Sequence, residues 1–325
     1  MGTFPQNAIK KTTITIAFLF MVIGNAHSQM GCTDNFANNY NTTAIQNDGS
    51  CTYDSVMISA ENSYPLDEVL SETSGLIYWD DTLWTHNDDG DIILYRINPF
   101  DGSIAGNVSL YPQTNEDWEG ISQDEDYIYV GDFGNNNNGK RTNLKIIRVS
   151  KKSILYGTPE MDVINFAYAD QTDFTPQGPN NTNYDCEAFI VTETAIYLFT
   201  KEWISQNTRI YKLPKTPGTY LAEFQDGHDI KGMVTGAVYK KERGIIVLSG
   251  YNILLQPFIF LLYDFENEDF FGGNKRKLNL NLPFHQVESI TTKDGFNFFI
   301  TNERFDTTRT PQQMHTLDLA PYLKE

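Results

Sequence analysis

From about residue 55 onward, the sequence has no sustained helical spacing of apolar positions. Short runs rich in Ile, Val, Tyr and Phe alternate instead with Gly, Asn, Asp and Pro turns. This pattern predicts an all-β chain. Comparing the chain with itself gives five related units. Their first strands read TSGLIYW (73–79), WEGISQ (118–123), CEAFIV (186–191), VTGAVYK (234–240) and VESITT (287–292). After a short turn each is followed by a second strand: TLWTHN (82–87), YIYVGD (127–132), AIYLFTK (195–201), GIIVLSG (244–250) and FNFFITN (296–302). Third strands follow (IILYRI, LKIIRV, RIYKL, FIFLLYDF, MHTLDL), and fourth strands such as VINFAYA (163–169) and KLNLNL (277–282) are visible in four units. The fifth unit lacks one.

Repeated four-stranded units predict a β-propeller of five blades, with the first strand of each lining a central channel. The segment VMISAEN (56–62), just before the first unit, is expected to supply the missing fourth strand, so that the N-terminal strand closes the ring. The long interval between Gly120 and Ala188 is filled by GDFGNNNNGKRT and DQTDFTPQGPNNTNY, which have turn composition. A six-bladed ring is the alternative, and it needs a blade the sequence does not display.

Before the repeats come two segments of different character. Lys10 and Lys11 precede the apolar run TTITIAFLFMVIG, and Ala26-His27-Ser28 offers small residues for cleavage. Residues 1–28 therefore read as a signal peptide, the apolar stretch being too short and wrongly flanked for a span. The mature chain is expected to be secreted, periplasmic or at the cell surface, with no membrane span. Residues 29–54 form a polar module in which Cys32 and Cys51 bracket an Asn- and Asp-rich loop. A disulfide there would stabilise the segment by roughly 3 kcal/mol. The module reads as a stapled spacer, although Asp34, Asn41, Asn47 and Asp48 are oxygen donors of the kind calcium uses. Cys186 is left over and is expected to be buried. Residues 31–54 resemble a short module, GCTD…NYN…A…DGSC, of secreted proteins of Bacteroidetes-type bacteria. The propeller is assigned residues 55–325.

Charge narrows the choice of partners. The 325 residues carry 24 Lys+Arg against 42 Asp+Glu, a net charge of −18, and 40% are hydrophobic. The apolar share is enough for a large core. The acidic excess would repel phosphate backbones and anionic lipid, which argues against nucleic acid polymers and membrane surfaces and in favour of cations.

The same register that defines the repeats brings five oxygen-bearing side chains to one height of the channel: Ser74, Glu119, Glu187, Thr235 and Glu288. Three carboxylates so placed repel one another and must take up protons or a cation. Oxygen donors without His or Cys favour Ca²⁺ over Zn²⁺. The structural alternative is that these side chains only hydrogen-bond strand starts. Second-strand ends are expected at the same mouth, and they carry His86, Asn87, Asp88, Asp132, Lys201, Glu202, Asn302, Glu303 and Arg304. Of these, His86 and Asp132 are candidates to orient or deprotonate a metal-bound water, and Lys201 and Arg304 to hold anionic oxygens. The four Asn at 135–138 read as a flexible loop. No GxSxG elbow, HExxH, Walker loop or Cys/His cluster occurs.

Five units whose channel positions run Ser, Glu, Glu, hydroxyl, Glu resemble the calcium-activated nucleotidases, the apyrases, over about 55–325, with Thr235 where that family has Ser. The resemblance implies one calcium on the propeller axis and hydrolysis of phosphoanhydrides or phosphoesters. Two expectations follow: a calcium-dependent hydrolase of an anionic small molecule, or a non-catalytic extracellular propeller that binds glycan or protein around a structural calcium.

Overall fold

The computed structural model describes residues 1–2 and 29–323, so the expected signal peptide lies almost wholly outside the described residues. Among the described residues no helix is long and apolar enough to cross a membrane. The described residues are all-β apart from a short helix, α1 (Lys151–Leu155), and a few 3₁₀ turns.

β1 (Met30–Gly31) and β2 (Gln46–Asn47) pair in parallel within the N-terminal module. β3 (Val56–Ile58) and β4 (Asn62–Pro65) lead into the repeats. The first antiparallel meander is β5 (Thr73–Trp79), β6 (Thr82–Asn87), β7 (Ile93–Ile97) and β8 (Ile104–Ser109). The second is β9 (Trp118–Gln123), β10 (Tyr127–Asp132), β11 (Leu144–Ser150) and β12 (Met161–Tyr168). The third comprises β13 (Asp185–Val191), β14 (Ala195–Lys201), β15 (Thr208–Pro214) and β16 (Gly218–His228). The fourth comprises β17 (Met233–Lys240), β18 (Ile245–Tyr251), β19 (Pro257–Tyr263) and β20 (Asn274–Leu280). β21 (Val287–Thr292), β22 (Asn297–Asn302) and β23 (Gln313–Asp318) end the series.

The first strands β5, β9, β13, β17 and β21 pack side by side in that order, and β21 returns to β5. The arrangement is propeller-like, and strand burial follows from it. β13, β14, β18 and β19 are buried along their whole length, whereas outer β8 and β20 alternate between faces. The core lies between sheets: Ile77, Trp84 and Leu94 of the first meander pack with Ile121, Ile128 and Ile147 of the second.

Two outer edges depart from simple repetition. β12 and β16 pair in parallel, Ile164 opposite Gly218, and fuse the second and third meanders into one eight-stranded sheet. The segment 56–62, expected to complete the last unit, is divided. β3 adds in parallel to β20, and it is β4 that pairs antiparallel with β23, His315 opposite Ser63. The division follows polarity. Ile58 is buried against the Leu278–Leu280 cluster, whereas Asn62 and Ser63 are polar and suit an outer edge.

The N-terminal module is stapled by the Cys32–Cys51 disulfide, and Cys186 is free and buried. The module is docked, not a loose spacer. Its fully buried Asp34 accepts hydrogen bonds from Tyr53 at 2.7 Å and from Tyr263 of β19 at 2.5 Å. Asn47 donates to Asn274 at 2.9 Å, and Asp48 is used by its own turn at the Ser50 amide. Asn41 Oδ1 accepts from the Thr43 amide at 3.0 Å, so each of the four residues considered for calcium already makes a docking or local-turn hydrogen bond.

Candidate functional site: an acidic axial cavity

Ser74, Glu119, Glu187, Thr235 and Glu288 each fall where their strand's pairing with the second strand slips, in the intervals Thr73/Leu76, Trp118/Ile121, Cys186/Ala188, Val234/Gly236 and Val287/Ser289. A bulge inserts an extra residue and re-aims its side chain. The small residue that follows lets neighbouring first strands close up. A Cβ on Gly120 would lie 2.9 Å from the Glu187 carbonyl oxygen, and one on Gly75 would lie 2.7 Å from the Ile121 nitrogen. Bulge and small residue together explain how five distant pieces of sequence turn the same way.

Four of the five, Ser74, Glu119, Glu187 and Glu288, line one cavity of about 480 Å³ at the mouth of the ring. Thr235 lies at the narrow waist beneath it, with Gly75, Gly120, Ala188 and Gly236. Both hydroxyls stitch neighbouring first strands together. Ser74 donates to the Glu119 carbonyl at 2.9 Å, with its carboxylate at 3.3 Å, and Thr235 donates to the Val287 carbonyl.

The ring already contains an ammonium group. Lys201, at the end of β14 and 3% exposed, places Nζ 2.6 Å from Glu187 Oε1 and over the rings of Trp203 and Tyr251. Burial favours the neutral amine, but Glu187, Tyr251, Glu288 and Asp185 outweigh it and hold the Lys201 pKa well above its ordinary value. Asp185 fixes the support. It accepts from the Trp203 indole at 2.7 Å and from the Asn135 amide at 2.6 Å. Asn135 is itself buried and donates to the Tyr184 carbonyl at 3.0 Å, so the Asn run starts on an anchor, contrary to its reading as a flexible loop.

The other proposed catalytic groups do not join Lys201. His86 is fully buried, with Nδ1 3.0 Å from the Asn87 carbonyl and its ring edge-on to Trp118; burial pushes its pKa down to about 4. Asp132 is also fully buried, clamped by Arg141 at 2.7 Å and Lys145 at 3.3 Å. Arg304 faces solvent and pairs with Glu68 at 3.0 Å and Asp306 at 3.2 Å. None of the three lines the cavity. The expectation that second-strand ends share the mouth holds for Lys201, Asp88 and Glu303 and fails for His86 and Asp132. Asp132 is held instead by Arg141 and Lys145 of its own meander, and His86 packs edge-on against Trp118 of the next.

Beside Asp88 and Glu303, expected as second-strand ends, the cavity gains a carboxylate that the repeat pattern did not single out, Glu72. Glu72 precedes β5, Asp88 follows β6 and Glu303 follows β22, and one oxygen from each lies within 4.8 Å of the others. Among the described residues, six carboxylates (Glu72, Asp88, Glu119, Glu187, Glu288, Glu303) and one ammonium line the space. The excess shows in proton affinity. Burial, then Glu187 and Asp117, pushes Glu119 well above the usual carboxylate range; burial, then Glu288, does the same for Glu303. Asp88 is pushed up to about 7 by burial, then by Glu72 and Asp89. Asp88 Oδ1 and Glu288 Oε2 are buried without a hydrogen-bond partner.

No family model matches the chain, and no curated protein matches its sequence. Among solved structures, the chain is similar to an exo-β-1,3-galactanase from Phanerochaete chrysosporium, at 12% identity and TM-score 0.45, over 82% of this chain and 65% of that one. It is also similar to a chain of a mitotic checkpoint complex, at 9% identity and TM-score 0.42, over 80% of this chain and 95% of that one. The class defined by the strand order itself is an all-β, propeller-like ring of meanders around an acidic cavity.

Proposed function

We propose that the chain is an extracellular five-bladed β-propeller that takes a cation, Ca²⁺ by the chemistry of its donors, into the axial cavity and works as a recognition module. The observation that carries this reading is the lining of six carboxylates against one ammonium. Such a cavity concentrates cations and repels polyphosphates. The five-blade count is supported by the closed succession of first strands and by β4 completing the last sheet. Secretion is supported by the Cys32–Cys51 disulfide, a bond that persists in oxidising compartments.

The hydrolase reading is less well supported, because its cationic groups are committed elsewhere: Lys201 to Glu187, and Arg304 to Glu68 and Asp306. Phosphate release from a panel of nucleoside di- and triphosphates and phosphoesters, with and without Ca²⁺, separates the two. The recognition-module reading expects no calcium-dependent turnover together with a Ca²⁺-dependent rise in melting temperature. Turnover that requires Ca²⁺ would replace it with the hydrolase.

A further inference from the structure

The carboxylates of the cavity lie at two levels. Glu119 and Glu187 belong to the bulged strand starts and have partners there, Ser74 Oγ at 3.3 Å and Lys201 Nζ at 2.6 Å. Glu72, Asp88 and Glu303 stand just beyond the strand ends, toward the mouth, on segments of the first and last meanders that meet where β21 packs on β5. Among the described residues, none of these three, nor Glu288, has a Lys, Arg or His nitrogen within 4.0 Å.

We infer that Glu72, Asp88 and Glu303 form a Ca²⁺ seat at the mouth, outside the ring of strand starts, with the unpartnered Glu288 of that ring facing the same cavity, and that Lys201 is the built-in counter-ion of the ring beneath it. The inference rests on the cation-binding reading above and adds the ligands. Two independent observations meet here. The three outer carboxylates bring one oxygen each to within 4.8 Å of one another. Oxygens bound to one Ca²⁺ at 2.3–2.6 Å are at most about 5 Å apart, so a single ion can reach all three. Separately, Glu288 is only 6% exposed, lines the same cavity and leaves Oε2 buried without a hydrogen-bond partner. A buried carboxylate oxygen with no donor is costly unless something positive arrives, and the ammonium below is already spent on Glu187. With oxygen donors alone, the set suits a hard cation and offers nothing to select Zn²⁺.

Calorimetric titration of the folded mature chain with CaCl₂, and in parallel with MgCl₂, tests the assignment. The wild type is expected to bind one equivalent of Ca²⁺. Glu72→Gln, Asp88→Asn and Glu303→Gln, which change three separate segments and each relieve repulsion in the metal-free protein, are each expected to weaken binding tenfold or more while circular dichroism stays unchanged. Glu119→Gln, in the ring, is expected to change affinity by less than threefold. If Glu119→Gln abolishes binding and the three mouth variants retain it, the ion belongs to the ring; the seat proposed here is then wrong and the cation-binding reading stands. A wild type that takes up no Ca²⁺ overturns both. Terbium luminescence excited through Trp203 and Tyr251, which line the cavity, gives a second readout. Quenching by added Ca²⁺ in the wild type and weak emission in Glu303→Gln are expected, and equal emission in both would count against the seat.

Discussion

At the scale of single residues, Lys201 organises the site. Its ammonium lies 2.6 Å from Glu187 and opposes the burial that raises that carboxylate's proton affinity, and removing one partner of a buried pair is costly. Lys201→Met is therefore expected to lower stability by about 3–5 kcal/mol in a urea titration, and adding Glu187→Gln should recover much of the loss. If the double variant is no more stable than the single one, Lys201 acts mainly through packing. His315 gives a second prediction at this scale. Its Nδ1 meets Ser63 Oγ of the closing strand at 2.7 Å and its Nε2 meets Asn302 Oδ1 at 2.9 Å, an arrangement made for the neutral ring. Burial, then neighbouring His285, pushes its pKa down to about 3 from an unperturbed 6.5. A depressed folded pKa means that the unfolded chain takes up the proton first. The contribution is whole above pH 6.5 and shrinks as pH falls toward 3, by about 1.4 kcal/mol per unit. His315→Gln should flatten the melting-temperature profile across that window, and an unchanged profile would place the acid sensitivity elsewhere.

At the scale of elements, the strands were legible because apolar runs and turn residues punctuate them, and the predicted first and second strands coincide with β5, β6, β9, β10 and β21. The alignment of Ser74, Glu119, Glu187, Thr235 and Glu288 was legible as a register but not as a mechanism. That they sit in bulges depends on pairing partners, which a single strand's sequence does not carry. Second-strand ends were harder to read because the side each takes depends on partners distant in sequence: Lys201 enters the cavity beside Glu187, Asp132 is clamped by Arg141 and Lys145, and His86 packs edge-on against Trp118. Glu72 escaped notice because it precedes the repeat, where no register assigns it a direction. The N-terminal module looked like a spacer because docking through Asp34 depends on Tyr263, which is 229 positions away. Asp34→Ala should remove the acceptor shared by both tyrosine hydroxyls, leaving them only each other at 3.0 Å, and cost about 1–3 kcal/mol. By hydrogen exchange the loss should appear as faster exchange over residues 30–54, with the inner strands unchanged. Uniform acceleration across the chain would mean that the module supports the whole ring.

At the scale of the whole molecule, the acidic excess is partly concentrated at one place. The net charge of −18 includes six carboxylates drawn into one mouth, held there by strands that also leave a single ammonium to oppose them. Closure of the ring matters to this, since Glu72 and Glu303 belong to opposite ends of the repeat series and meet only because β21 packs on β5. Removing residues 29–65 deletes β3 and β4, exposes the outer edge of β23 and is expected to produce aggregation along with loss of Ca²⁺ uptake. A truncated chain that stays monomeric and binds Ca²⁺ normally would show that closure is dispensable. The most direct measurement is anomalous diffraction from crystals of the mature chain grown with Ca²⁺ or a lanthanide in its place. The account predicts one peak at the mouth, about 2.3–2.6 Å from oxygens of Glu72, Asp88 and Glu303, with Lys201 still on Glu187. A peak among Ser74, Glu119 and Glu187 with Lys201 displaced, or a cavity with no peak at all, would contradict it.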